Sequence, residues 1–135
     1  FVSHTTEGKE VSEDDFFKKA STGGTYISSG LLTSLDIIEK KYPISNWNIY
    51  AFHCSDGENW PQDNEKAVNA MQKVIDITQM SAYIQINREN ENIWGEEMRK
   101  VFAPLECDSF KLIKITSKED IWPQFTKLFG GNYNV

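Results

Sequence analysis

Cysteine, proline and long apolar runs are all scarce in this sequence of 135 residues. The two cysteines, Cys54 and Cys107, form no CxxC motif and have no metal-ligand spacing, which indicates reduced thiols in a cytoplasmic protein. No apolar run approaches the roughly 18 to 20 residues of a membrane span, and the start of the chain lacks the charged and apolar regions of a signal peptide. We therefore expect no membrane partner.

Basic charge is also in short supply. The 20 acidic residues outnumber the 14 basic ones, which gives a net charge of -6, and the basic residues are scattered along the chain. This balance argues against a phosphate-backbone partner, so we expect no nucleic-acid binding. The GxGxxG, GxxxxGKS/T and GxSxG motifs are missing, which argues against a phosphate cradle and a nucleophile elbow.

The composition that is present suits one globular domain over residues 1–135, with 39% hydrophobic and 25% charged residues. No internal repeat, low-complexity tract or linker divides it. The chain begins at Phe1 rather than methionine, in a segment that reads as a strand already in progress. We therefore expect it to be a piece of a longer protein.

The first half of the chain predicts a hairpin and two helices. The hairpin covers residues 1–11, and Ser12 is placed as the N-cap of a short helix. The second helix begins near Thr25 and stops before Pro43. Its apolar residues recur at the spacing of one helix face: Ile27, Leu31, Leu35 and Ile38.

The second half predicts strands separated by helices. The run from Trp47 to Cys54 lacks strict alternation, which is typical of a central parallel strand covered on both faces. Further strands are predicted over residues 82–87 and 110–115, and helices over residues 64–80 and 93–102.

A last helix is opened by Ser117 or Trp122, and Pro123 favours Trp122 because proline is tolerated in a first turn. Strands that alternate with helices predict an α/β fold, with a mainly parallel sheet and helices on both faces. Functional sites in such folds form at the carboxyl ends of the strands.

Two polar segments lie where that rule points. Asp56 follows the Trp47–Cys54 strand, and Thr25 follows Gly23-Gly24 at the start of a helix expected to pack on the same sheet. A carboxylate and a hydroxyl are hard oxygen ligands of the kind that Mg²⁺ or Mn²⁺ prefers. An Asp-Gly turn and a threonine helix cap are the simpler interpretations of the same residues, and both remain open.

Several segments in a fixed order resemble the YhbH/YeaH family, bacterial proteins linked to sporulation or stress that contain a von Willebrand factor type A-like domain. The resemblance covers most of the chain and is densest from Phe1 to Asn64. It rests on residues 1–7, Phe16-Phe17, Gly23-Gly24-Thr25, Ser28-Ser29, residues 47–50, residues 55–60 and Asp63-Asn64.

The resemblance implies a three-layer Rossmann-like sheet with a metal-ion-dependent adhesion site, built from a DxSxS loop, a threonine and an aspartate. Thr25 matches the threonine and Asp56 matches the aspartate. Such domains are generally binding modules rather than enzymes. A carboxylate of the partner protein completes the coordination of the metal. A serine protein kinase of the PrkA type is the implied partner. The surroundings of the metal, or its supporting residues, would be Gly23, Gly24, Ser28, Ser29, Ser55, Gly57, Trp60 and Asp63.

This sequence departs from the family pattern because it contains no DxSxS motif. In the family that loop lies upstream of Phe1, together with the first strand and first helix of the domain. We expect Mg²⁺ or Mn²⁺ binding by the chain alone to be weak or absent. The strands at Phe1 and Trp47 should flank the gap, so the chain should be less stable than the intact domain and prone to self-association.

Two other functional classes remain open on the same residues. A metal-assisted hydrolase would use Asp56 with His53 as its base, and His53 would then have to point out of the sheet toward Asp56. A purely structural fragment would use Gly23-Gly24-Thr25 as a helix start and the Asp56 segment as a turn. Partner binding that survives alanine at Asp56 would favour the structural interpretation.

Overall fold

A computed structural model of the chain describes residues 1–19, 23–87 and 97–129. Its strands are β1 (Val2–His4), β2 (Gly8–Glu10), β3 (Tyr50–Ser55), β4 (Met80–Ile86) and β5 (Phe110–Ile115). Its helices are α1 (Glu13–Lys18), α2 (Ile27–Lys41), α3 (Asn64–Ile77), α4 (Met98–Phe102) and α5 (Ile121–Leu128). Within these ranges no helix is both long enough and apolar enough to cross a membrane.

Three strands form a parallel sheet in the order β3-β4-β5, which confirms the α/β class expected from the sequence. α3 lies between β3 and β4 in the chain and supplies the helical crossover that parallel strands need. The register aligns Ser55 with Gln85, and Gln85 with Lys114, so the three strands end at one edge. β1 and β2 form a separate antiparallel hairpin, in which Val2 lies opposite Glu10.

Helices cover both faces of this sheet. On one face α2 and α3 enclose a core with Tyr83 of β4 and Phe110 of β5, both fully buried. On the other face Leu128 of α5 packs with Ala82, Ile84 and Ile113. A fully buried large apolar side chain contributes about 1.5–3 kcal/mol, so these two clusters hold the helices on the sheet.

β3 lies at an end of the three-stranded sheet, whereas the sequence predicted a central strand covered on both faces. Its residues alternate between exposed and half-buried positions, with Tyr50, Phe52 and Cys54 on the exposed side. The prediction was wrong for these described residues because β3 pairs only with β4 among them. The apolar residues that indicated two covered faces therefore remain in contact with solvent on one face.

The start of the last helix also differs from the prediction. Ser117 forms a capping box with Asp120 at the single turn Lys118–Asp120, and α5 then begins at Ile121, so Trp122 is not the cap. The capping box is favoured because it satisfies backbone groups at both ends of the turn. The beginning of the helix predicted over residues 93–102 lies outside the described residues, and α4 accounts for its end.

Candidate functional site

The loop that follows β3 is tied to the start of α2. Asn59 accepts a hydrogen bond from the backbone N–H of Ile27 through Oδ1, at 2.9 Å. Asp63 accepts one from the backbone N–H of Ser28 through Oδ2, at 3.0 Å, and the Ser28 hydroxyl donates to its Oδ1. Both acceptor side chains are buried, and they satisfy N–H groups that a helix start leaves without intrahelical partners.

Asp63 therefore caps α2 rather than α3, the helix that it directly precedes. It stands at the N-terminal boundary of α3, but its side chain makes no capping hydrogen bond there. Its carboxylate instead reaches α2, because the turn Pro61–Asp63 carries it back toward Ser28. Ser29 has a local role as well, since its hydroxyl donates to the carbonyl of Tyr26 at 2.7 Å. Through these hydrogen bonds Ser28, Ser29 and Asp63 stabilise the start of α2 and the base of the loop.

Thr25 lies beside the same loop. Its carbonyl accepts a hydrogen bond from the backbone N–H of Trp60, at 3.2 Å. The preceding Gly24 packs against the indole of Trp60 so closely that a Cβ there would collide with the ring nitrogen. The glycine-threonine segment and the loop after β3, which the sequence analysis placed near each other, are thus in direct contact.

Asp56 stands in a tight turn directly after β3. Its Oδ1 accepts a hydrogen bond from the N–H of Glu58 at 3.0 Å, and the Ser55 hydroxyl accepts one from the N–H of Gly57 at 3.1 Å. Gly57 has a φ of 98°, a left-handed conformation that side chains rarely adopt. The Asp-Gly turn, one of the interpretations that the sequence left open, is therefore present, and it leaves the Asp56 carboxylate exposed at the edge of the sheet.

His53 points into the protein rather than out of the sheet. Its Nε2 lies 2.9 Å from Nε2 of His4 on β1, and its ring contacts Tyr83 edge-on. Burial, together with the charge of the neighbouring His4, lowers the pKa of His53 to about 3. The ring is therefore neutral at physiological pH, and one of its nitrogens is occupied by the contact with β1.

The oxygen atoms near the turn suit a hard divalent cation in kind but are few in number. Asp56 supplies an exposed carboxylate and Thr25 supplies a half-buried hydroxyl. No group of three or more histidine, cysteine, aspartate or glutamate side chains suited to a metal occurs in the described part of the chain. Mg²⁺ requires six ligands close to octahedral geometry, so the remaining ligands would have to come from water, from a partner or from sequence outside these residues.

Gln85 and Glu97, which the sequence analysis did not single out, also meet beneath the Asp56 turn. Nε2 of Gln85 donates to Oε1 of Glu97 at 2.8 Å, and Gln85 is fully buried. The backbone N–H of Met98, next to Glu97, donates to the carbonyl of Gly57 at 3.2 Å. A long polar side chain inside a mostly apolar strand was the feature that could have identified Gln85, because such a group is buried only with partners.

Comparisons with known proteins place the chain among bacterial relatives. The family described as "Protein of unknown function (DUF444)" matches residues 1–132. A UPF0229 protein of Ruminiclostridium cellulolyticum is 43% identical over 128 residues, which cover 95% of this chain and 32% of the relative. A UPF0229 protein of Thiobacillus denitrificans is 41% identical over 132 residues, which cover 96% of this chain and 30% of the relative. The chain thus spans about a third of the length of these relatives. No solved structure matches it significantly.

Proposed function

Because the chain belongs to the DUF444 family, whose description assigns no function, we propose that it is part of a protein-binding module of the von Willebrand A type. In this proposal the module belongs to a YhbH/YeaH-like stress or sporulation protein. Thr25 and Asp56 contribute ligands to one Mg²⁺ or Mn²⁺ ion, and a DxSxS loop outside these residues contributes the others. A carboxylate of the partner protein completes the coordination of the ion.

The observation that carries this proposal is the contact between the two segments that bear the ligands. The Thr25 carbonyl accepts the Trp60 N–H, while Asn59 and Asp63 anchor the same loop to the start of α2. The exposed Asp56 carboxylate is thereby held at the carboxyl edge of a parallel sheet, where α/β folds bind their ligands.

A groove beside β3 supports the proposed Rossmann-like arrangement. It offers room for one more strand, which sequence outside these residues would supply. A cavity of about 400 Å³ is lined by residues of β1, α2, α3 and β3, including Leu31, Ile38 and Val74. An additional parallel strand in this groove would pair with β3 and cover its free backbone groups. The relatives contain about three times as much sequence as this chain, which is enough to provide such a strand.

The position of His53 favours binding over hydrolysis in this proposal. A general base must reach the proton that it removes. His53 instead contacts His4 and Tyr83 on the inner face of the sheet, while Asp56 is exposed at the edge. We therefore assign Asp56 to metal and partner binding alone.

The partner in this proposal is a protein, with a serine protein kinase of the PrkA type as the first candidate. An acidic protein repels the carboxylate groups of a partner. These groups would therefore approach at the Asp56 edge, where the bound cation attracts them.

The proposed location is the cytoplasm. Both cysteines, Cys54 and Cys107, are free and exposed, which suits a reducing cytoplasm.

The test is calorimetric titration of Mg²⁺ and Mn²⁺ into the full-length protein that contains this chain, and into its Asp56→Ala variant. We expect the full-length protein to bind one ion and the variant to lose measurable binding. Asp36→Ala is the matched control, since Asp36 is an exposed carboxylate on α2 that pairs with Lys40. Equal binding by the Asp56 and Asp36 variants, or no binding by the parent protein, would contradict the proposal.

A further inference from the structure

Buried Gln85 and half-buried Glu97 form a polar link directly under the turn that carries Asp56. Gln85 aligns with Ser55 in the parallel register, so its side chain lies on the same face as the hydroxyl that accepts the Gly57 N–H. The carboxamide of Gln85 presses on Gly57, since a Cβ at Gly57 would lie 2.7 Å from Cδ of Gln85. The turn therefore packs directly against the Gln85 carboxamide.

Glu97 fixes the orientation of that amide. A carboxylate can only accept hydrogen bonds, so the –NH₂ end of Gln85 must face Glu97 and its carbonyl end must face away. The same –NH₂ group also donates to Oδ1 of Asn87, at 3.3 Å. Glu97 additionally leads into α4, whose first N–H, that of Met98, donates to the Gly57 carbonyl. The turn is thus held by the side chain of Gln85 and by a hydrogen bond to its own backbone carbonyl at Gly57.

The carboxylate of Glu97 is already neutralised by cations. Arg99 Nε lies 3.4 Å from Oε1, Lys114 Nζ lies 4.0 Å from Oε1, and Lys100 Nζ lies 3.9 Å from Oε2. Burial raises the pKa of Glu97, but the hydrogen bond from Gln85 and the charge of Arg99 outweigh it, so the pKa lies below its usual value. A carboxylate engaged in this way is poorly placed to serve as a further ligand of a divalent cation.

We propose that Glu97 is a positioning residue, which acts through Gln85 to hold the Asp56–Gly57 turn in the geometry that presents the Asp56 carboxylate. This inference rests on the proposed function for its ligand, but the support of the turn is a property of the described residues themselves. Residues that orient a metal ligand typically change metal affinity by about 10- to 100-fold when they are removed.

The test compares Glu97→Ala with Glu97→Gln in the full-length protein. Glutamine retains an oxygen that accepts the Gln85 hydrogen bond and loses only the charge, whereas alanine loses both. We expect Mn²⁺ affinity, measured by calorimetry, to fall about tenfold in Glu97→Ala and to stay within about threefold in Glu97→Gln. Glu39→Ala, at an exposed glutamate on α2, is the control and should leave the affinity unchanged.

Equal losses in the alanine and glutamine variants would overturn the positioning role, because they would indicate that the charge of Glu97 acts on the cation. Unchanged affinity in both variants, with Asp56→Ala still abolishing binding, would overturn it while leaving the proposed function intact.

A second measurement keeps the inference testable if the protein binds no cation. Amide hydrogen exchange at Gly57 should accelerate about tenfold in Glu97→Ala and remain close to the parent rate in Glu97→Gln, with the exchange of the β4 core unchanged. Unchanged exchange at Gly57 in Glu97→Ala would overturn the inference.

Discussion

At the scale of single residues, the polar side chains around the β3 edge divide into two groups. Asn59 and Asp63 are buried and satisfy backbone donors of α2, so their role is to fold the loop. Asp56 is exposed and is held in place by its own turn, so its carboxylate is available to a ligand. This division predicts that substitutions of the first group lower stability, whereas substitution of Asp56 lowers binding.

Replacement of Asp63 by alanine should cost about 2 kcal/mol in the free energy of unfolding, because it leaves buried donors of Ser28 without an acceptor. The measurement is urea denaturation monitored by tryptophan fluorescence. Asp36→Ala is the control and should cost no more than about 0.5 kcal/mol, since its exposed i,i+4 pair with Lys40 is weak. Equal costs for the two variants would contradict the capping role.

The pair His4 and His53 should make stability depend on pH. Folding holds His53 neutral, with a pKa of about 3, while its pKa in the unfolded chain is near 6.5. The unfolded state therefore binds the proton first, so this contribution to stability is complete above pH 6.5 and is lost as the pH falls toward 3. The loss should be on the order of 1 kcal/mol per pH unit.

Urea denaturation of the parent chain and of His53→Gln, at about pH 7.5 and about pH 5, measures this dependence. The parent should lose more stability on acidification than the variant, because the variant has no ring to protonate at this position. Identical pH dependence in the two proteins would show that His53 does not titrate on unfolding.

At the scale of secondary structure, β3 exposes two large aromatic side chains, Tyr50 and Phe52. Phe52 is 45% exposed and contacts Phe129 at the end of α5, with ring centroids 6.4 Å apart. The strand also has a free backbone edge among the described residues. Free edges of apolar strands pair readily with other chains, so this element should drive self-association.

Phe52→Lys should weaken self-association of the isolated chain by about tenfold, because it places a charge on the edge strand. Sedimentation velocity over a range of concentrations measures the effect. Phe17→Lys is the matched control, since Phe17 is 71% exposed on α1, an element outside the parallel sheet. A monomeric parent chain, or the same effect from both substitutions, would contradict the role of β3.

At the scale of the whole molecule, the proposed function makes the chain one part of a larger domain. Its parallel sheet has a cavity of about 400 Å³ along one edge, and its relatives are about three times longer. A version extended upstream through the proposed DxSxS loop should therefore melt at least about 5 °C above the isolated chain, because a strand in the groove would bury both apolar surface and backbone groups. Calorimetric melting of the two proteins tests this, and coincident transitions would contradict it.

Much of the fold followed from the sequence, and the failures have a common cause. The helix face at Ile27 and the α/β alternation are local patterns, so periodicity was sufficient to predict them. The edge position of β3, the cap that Asp63 gives to α2, and the support of the Asp56 turn by Glu97 depend on contacts between distant parts of the chain. The turn at Asp56 and the segment at Thr25, which contacts Trp60, could be placed because both lie at predictable ends of elements.

The most direct test of the cation site is paramagnetic NMR of the isolated chain with Mn²⁺, which reports where even a weakly bound ion lies. Selective broadening of the amide signals around Thr25 and Gly57 is the result that the proposed site predicts, with loss of that broadening in Asp56→Ala. Broadening centred on another acidic segment, such as Glu13–Asp15 at the start of α1, or uniform broadening over the whole chain, would contradict it.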